Sequence, residues 1–449
     1  MANVQGSKYL VAVVGAGPAG LFAARQLAMA GAHVVLFNRD VKPGGLAEYG
    51  IYPDKHKMKE GLRKQFRQLL ALPQIEYWGN VTIGGETGLT LDDLRRFGFQ
   101  AVLVTVGAQG TKWLGLPGED LRGVYHAKDL VYHYNQLPPY SQQPFEIGRR
   151  VAIVGVGNVM LDISHWVIRD LKVDEVVAVA RRGPAEVKFD KAEMEYVAAN
   201  LDVAALDAEL ERVRGRMQAV GQDVAQAREY ILAGLQGAEP ANSNTRFRLE
   251  FLGSPHRMVG DEHGRVAGLE VEDTTLVAAD DDTKARGLGT FRVIPADTVI
   301  FAIGDRVDES IGLPVRSNSF VKNPQPRFPI GGLSYEAFDP VSGQPVPGLF
   351  VAGWSREAST GLVGTARKDG TNGAQAVLQY LAQQPPLAGA DLDGLHARLR
   401  QLPQPVVSKD DWARLEAVER DEAARRGLLE FKFGTNAEML TAMGLVGVP

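Results

Sequence analysis

Two apolar runs, Tyr9 to Val14 and Arg150 to Val154, each lead straight into a glycine-punctuated turn and then into a segment with helical spacing of its apolar residues. A run without polar alternation predicts a strand buried on both faces, as in a parallel sheet. The pattern predicts a strand over Tyr9–Val14, a helix from Pro18 to Ala30 closed by Gly31, and a strand over His33–Phe37. Ala101 to Val106 reads as another strand of this set. Gly348 to Trp354 reads as a short one, passing through a glycine-rich turn into a helix that ends near Leu381. The second set repeats the theme: a strand over Arg150–Val154, a helix from Asn158 to Leu171, a strand over Glu175–Ala180 and an apolar run from Thr298 to Ile303. Leu206 to Leu235, rich in Ala, Glu, Arg and Gln, predicts one amphipathic outer helix. Arg246–Leu252 and Arg265–Val271 alternate around the turn cluster Gly260 to Gly264, predicting a hairpin, and Asp280 to Asp282 reads as a polar loop. A polar helix is expected from Lys409 to Arg426.

The turns carry the chemistry. Gly15-Ala16-Gly17-Pro18-Ala19-Gly20 and Gly155-Val156-Gly157-Asn158 both follow a strand and open a helix. The first glycine makes the tight turn, the second lets the backbone approach a pyrophosphate, and the helix start offers unpaired N–H groups to that anion. Two such turns in one chain point to a flavin and a nicotinamide nucleotide. The expected fold class is α/β, with two Rossmann-like doubly wound dinucleotide-binding domains and the NADP domain inserted into the FAD domain. The boundaries are expected at 1–111 (FAD, first part), 112–324 (NADP) and 325–449 (FAD, second part, with a helical tail).

Charge at the end of each second strand assigns the cofactors. Arg181 and Arg182 follow Val179-Ala180 with no acid beside them, a fork suited to a 2′-phosphate and hence to NADP(H). In the first set the expected acid is Asn38, whose amide accepts from a ribose hydroxyl without charge assistance. Met160 stands where the second turn has its third small residue, which sets the helix further from the sheet than glycine would.

A length of 449 residues suggests two or three domains, and 45% hydrophobic with 23% charged residues is ordinary for a globular chain. A net charge of -5 leaves no basic field for nucleic acid or an anionic membrane, and no apolar run is long enough to span one. A cytoplasmic protein is expected. There is no cysteine, which rules out disulfides, thiolate nucleophiles and an iron–sulfur cluster on this chain's own thiolates. The eight histidines show no ligand spacing, so no metal is expected.

Taken together, these segments resemble the adrenodoxin reductase type of ferredoxin:NADP reductase, in the flavoprotein group that also holds the glutamate synthase small subunit. The likeness runs through Val11 to Gly20, Gly45-Leu46, Tyr49-Gly50-Ile51, Pro53-Asp54, Gly155 to Val159 with Asp162, Arg181 to Pro184, and Phe189 with Glu193. It is most specific at Gly353-Trp354 with Thr360-Gly361-Leu362-Val363-Gly364-Thr365, where the glutamate synthase relatives usually have Gly-Asp in place of Gly353-Trp354. The resemblance implies that FAD is held by Gly15, Gly17, Pro18, Ala19, Gly20, Asn38, Gly45, Leu46, Val81, Gly107, Gly353, Trp354, Gly361, Leu362 and Val363. It implies that NADP is held by Gly155, Gly157, Asn158, Val159, Arg181, Arg182, Glu193 and Gly361. Asp162 and Glu193 match acids beside the nicotinamide. The family's His after Pro-Asp is replaced here by Lys55, with His56 following, and either can stand in for it. Glu357-Ala358-Ser359 likewise departs from the family's Arg-Gly-Pro.

The activity so implied is passage of hydride from NADPH to FAD and of single electrons to a ferredoxin-like iron–sulfur protein, or the reverse. An acidic partner would meet Lys55, Lys57, Lys59, Arg63, Lys64 and Arg67. A second reading is an electron-input subunit of a larger complex, with the tail after Leu381 as its docking segment. A third is a dinucleotide sensor with redox-silent FAD.

Overall fold

A computed structural model describes residues 7–85, 88–279, 282–385, 387 and 389–447. The chain forms two compact units, one from Met1–Lys112, Tyr132–Gln142 and Gly304–Pro449, the other from Trp113–Val131 and Gln143–Ile303.

The first unit is built on a six-stranded sheet in the order Glu336–Asp339, Gln344–Val351, Ala101–Val104, Tyr9–Val14, Ala32–Phe37, Ile75–Trp78. All pairings are parallel except that between the first two strands, and the register sets Tyr9 beside Ala32 and Val11 beside Ala101. Every residue of Tyr9–Val14 and Ala32–Phe37 is buried, which explains their unbroken apolar sequence: both sheet faces are covered. One face packs under the helices Pro18–Met29, His56–Leu70 and Val363–Leu381, joined by Trp412 and Leu415 of Lys409–Arg426. The other packs against Leu94, Leu395 and Leu399 of the helices Leu91–Arg96 and Leu392–Arg400. The polar helix Lys409–Arg426 starts at a Ser408/Asp411 capping box and stops at Gly427 in the left-handed conformation.

The second unit has a five-stranded parallel sheet in the order Val124–His126, Thr298–Phe301, Arg150–Val154, Glu175–Val179, Arg246–Glu250. Beside it lies an antiparallel sheet of Asp282–Pro295, Val266–Ala279 and Gly253–Gly260.

Both units have the doubly wound architecture expected, with differences of detail that have local causes. The expected outer helix is two, Val203–Gln218 and Val224–Leu232, because Gly221 takes φ +74° and Asp223 caps a new helix by accepting from Ala225 N and Gln226 N. Arg246–Glu250 joins the parallel sheet, so the hairpin partner of Val266–Ala279 across the 261–264 turn is Gly253–Gly260. The helix from Asn158 ends at His165 and continues as a π-turn, Trp166–Asp170. Asp280 and Asp281 lie outside the described residues, and Asp282 opens a strand. The segments 132–142 and 304–324, expected with the NADP domain, pack into the first unit. Tyr132 and Leu137 join Tyr49 in a small core, and the Gly110–Arg306 bridge ties in the later segment.

Candidate functional site: two dinucleotide cradles

In the first unit, Gly15 sits at φ +106°, and a Cβ there would fall 2.5 Å from the Thr105 carbonyl oxygen. Thr105 Oγ1 donates to the carbonyls of Val14 (3.0 Å) and Gly15 (2.8 Å), which holds the turn against the neighbouring strand end. Gly17 is the N-cap of Pro18–Met29 and offers no side-chain cap, while a Cβ on it would meet nothing within 4 Å. The helix start therefore faces open space with N–H groups uncapped, the geometry that an anion fills. Gly20 supplies the close approach: its Cβ would lie 1.9 Å from the Gly15 oxygen. Gly45 abuts Gly17, and Leu46 opens the short helix that follows.

A second uncapped helix start belongs to the same unit. Leu362 is the N-cap of Val363–Leu381 without a side-chain bond and is 64% exposed; Gly361 precedes it, and no acid stands in the first turn. Ahead of it, Trp354 donates from Nε1 to the Thr360 carbonyl at 3.0 Å. Gly353 N donates to Asp369 Oδ2 at 2.7 Å. Asp369 also accepts from Tyr335 Oη at 2.9 Å and from Arg356 Nη2 at 2.8 Å. Gly107 N donates to Ser355 Oγ at 3.0 Å, and Val81 N to the Asn38 carbonyl at 2.9 Å. Asp369 and Arg356 escape sequence reasoning; the one available signal is an acid within a helix that carries glycines and alanines.

Asn38 is buried and bonded within its own loop. Its Oδ1 accepts from Ala16 N at 3.1 Å, and its Nδ2 donates to the carbonyls of Asp40 (2.8 Å) and Lys42 (2.9 Å). The amide staples its own loop, with both donors committed and its Oδ1 accepting from Ala16 N.

His56 is the first residue of His56–Leu70, and its Nδ1 lies 3.6 Å from Glu430 Oε2. Lys55 is that helix's N-cap residue. Around them is a buried ion cluster: Glu48 meets Lys42 (3.2 Å), Arg63 (2.7 Å) and Lys432 (3.2 Å), while Glu430 meets Arg63 and Lys59 (3.5 Å). Burial opposes ionisation of Glu430, but Lys432, Arg63 and Lys59 hold its carboxyl down at about 2. Burial, then the charge of Lys432, lowers the Lys59 ammonium to about 8.

This cluster corrects the basic landing surface. Lys59 is 1% exposed, Arg63 is bound to Glu48 and Glu430, and Arg67 pairs with Glu60 and Glu416. Only Lys57 and Lys64 of the six are exposed. The tail after Leu381 packs onto its own unit, with Glu419, Glu430 and Lys432 all entering the same buried cluster.

In the second unit, Gly155 takes φ +125° with a Cβ position 2.3 Å from the Ala302 oxygen, and Gly157 is an uncapped N-cap with nothing within 4 Å of its Cβ position. Asn158 donates from Nδ2 to Asp190 Oδ2 (2.7 Å) and accepts from Asp190 N (2.8 Å). Its amide is thereby spent on the Asp190 turn, leaving backbone N–H groups of Asn158 and exposed Val159 for an anion. Met160 is fully buried. Asp162 is on the second turn of this helix, and Glu193 on the short helix Lys191–Met194 that Asp190 opens. Arg181 is exposed, with no carboxylate at ion-pair distance among the described residues. Arg182 is bound to Asp282 at 2.9 Å.

Among the described residues, no group of three potential metal ligands occurs and no helix is long and apolar enough to cross a membrane.

Residues 9–229 match the family model described as pyridine nucleotide-disulphide oxidoreductase. The chain is similar to the NADPH-ferredoxin reductase FprA of Mycobacterium leprae, with 28% identity over 463 residues covering 96% of this chain and 97% of the relative. It is similar to the mitochondrial NADPH:adrenodoxin oxidoreductase of Homo sapiens, with 27% identity covering 97% and 92%. The solved structure of Mycobacterium tuberculosis FprA in complex with NADPH superimposes with a TM-score of 0.79 at 27% identity, covering 97% of this chain and 99% of that one.

Proposed function

We propose that this chain, which carries a pyridine nucleotide-disulphide oxidoreductase domain and is homologous over nearly its full length to the NADPH-ferredoxin reductases, is an NADPH-dependent FAD enzyme that passes electrons to a ferredoxin-like iron–sulfur protein. The observation that carries the reading is the pair of uncapped helix starts, at Gly17 and Gly157, each facing open space behind a parallel strand. The residues fit the two groups: Gly15 to Gly20 with Gly45 take the FAD pyrophosphate, and Gly155 to Val159 that of NADP. FAD, when bound, supplies the hydride acceptance and the two-to-one-electron conversion.

The chain's own part is binding and electrostatics. Leu362 and Val363 open an uncapped 19-residue helix whose N–H groups and dipole would favour negative charge on a flavin held before them. Asp369, through Gly353 N and Arg356, fixes the turn that carries Trp354 beside it. Exposed Arg181 offers its guanidinium to the 2′-phosphate. His56 and Lys55 on the flavin side, with Asp162 and Glu193 on the nicotinamide side, are the groups assigned to hold or move a proton. With no cysteine in the chain, dithiol–disulphide chemistry has no residues to run on.

Anaerobic titration of the yellow protein with NADPH and NADH, followed by a ferredoxin, tests this reading. NADPH should bleach the flavin at lower concentration than NADH, and re-oxidation should require the ferredoxin. A colourless protein that takes up no FAD would refute it.

A further inference from the structure

The two arginines at the end of Glu175–Val179 are in different states. Arg181 is exposed and unpaired among the described residues, whereas Arg182 Nη1 donates to both carboxylate oxygens of Asp282 at 2.9 Å and to the Thr283 carbonyl at 3.1 Å. Thr283 is fixed in turn: its hydroxyl donates to Glu186, which also accepts from Gln222 at 2.6 Å, so the start of the strand Asp282–Pro295 is latched onto the turn 181–186. The Thr283 N–H, then Arg182 and Lys188, hold the Asp282 carboxyl below its ordinary value, so it is ionised at neutral pH.

We propose that Asp282 is a specificity-determining residue: it claims the Arg182 guanidinium and so opposes a nucleotide 2′-phosphate at the Arg181-Arg182 fork. The inference rests on the coenzyme assignment above. An arriving dianion must share Arg182 with a carboxylate already in place, and like charges at one guanidinium repel. Arg181 then carries most of the phosphate contact, and the preference for NADPH is smaller than two free arginines would give. Because Asp282 is largely exposed, the opposition is a screened surface effect rather than a buried one.

The test measures binding of adenosine 2′,5′-bisphosphate and adenosine 5′-monophosphate to FAD-loaded protein by calorimetry, with wild type, Asp282→Asn, Asp282→Ser and Arg181→Ala/Arg182→Ala. Removing the acid should tighten the bisphosphate by roughly threefold to fivefold, leave the monophosphate unchanged, and lose its effect near ~1 M salt. A merely structural role for Asp282 would weaken binding or leave it unchanged, so either result overturns the proposal. If the double arginine variant keeps full affinity for the bisphosphate, the coenzyme assignment itself has failed. If that variant loses it while Asp282→Asn and Asp282→Ser match wild type, only the role of Asp282 has failed.

Discussion

Asp369 and Arg356 form a fork: Arg356 Nε donates to Oδ1 and Oδ2 at 3.0 and 3.1 Å and Nη2 to Oδ1 at 2.8 Å, while Oδ2 also takes the Gly353 N–H at 2.7 Å. Both side chains are mostly buried, and removing Asp369 leaves the Arg356 guanidinium with only the more exposed Glu357, 3.9 Å away. Asp369→Ala should cost about 3 kcal/mol of stability and release the Gly353–Trp354 turn. The readouts are thermal unfolding and the ratio of flavin to protein absorbance, both of which should fall.

Gly17 and Gly20 separate binding from folding. Gly17 has φ -75° and ψ -178°, extended backbone open to any residue, with free space around its Cβ position. Gly17→Ala should therefore change stability by less than about 1 kcal/mol while crowding the anion site and lowering FAD retention. Gly20→Ala places a methyl 1.9 Å from the Gly15 oxygen and 2.6 Å from Thr105 Oγ1, and should lose about 3 kcal/mol or more. Denaturant melts of the two apoproteins distinguish the cases.

Restoring an acid at position 38 should harm the protein. Asn38→Asp removes both donors to the Asp40 and Lys42 carbonyls and sets a carboxylate against them in a buried loop. A loss of about 2–3 kcal/mol in the denaturant midpoint is expected, with no gain in FAD affinity.

The buried cluster gives two pH signatures of the same sign. The Lys59 ammonium is lowered from 10.5 to about 8, so its contribution to stability is present above 10.5 and lost as pH falls through 8. Wild type minus Lys59→Met stability should thus rise between those values. Glu430 is lowered from 4.5 to about 2, so its contribution is present above 4.5 and lost as pH falls toward 2. Wild type minus Glu430→Gln stability should shrink over that lower window. A flat difference in either would contradict the charges assigned to the cluster.

The two cradles are legible in the sequence because backbone constraints write themselves as glycine spacing after an apolar run. Side-chain commitments are not: Asn38 and Asn158 have the right chemistry to face a ligand, and only the fold reveals that Lys42 and Asp190 already occupy them. The same holds for Arg182, whose partner Asp282 lies far along the chain. Lys59 reads as part of an exposed basic surface, and Glu48 carries no signal at all, since their partners Glu430 and Lys432 arrive from the other end of the sequence. The helix break is written in the sequence as Gly221 and the N-capping Asp223, inside a stretch whose composition otherwise favours one helix.

The pairing of Ala101–Val104 with Gln344–Val351 joins segments more than two hundred residues apart. On a ribosome adding about 5–20 residues per second, the nascent first unit waits tens of seconds with Val102, Leu103 and Val104 bare along one edge. Its inserted neighbour, whose sheet strands are all synthesised within that interval, can close first. Expression yield should accordingly depend on chaperones that shield that edge during synthesis, more than on the stability of the finished molecule.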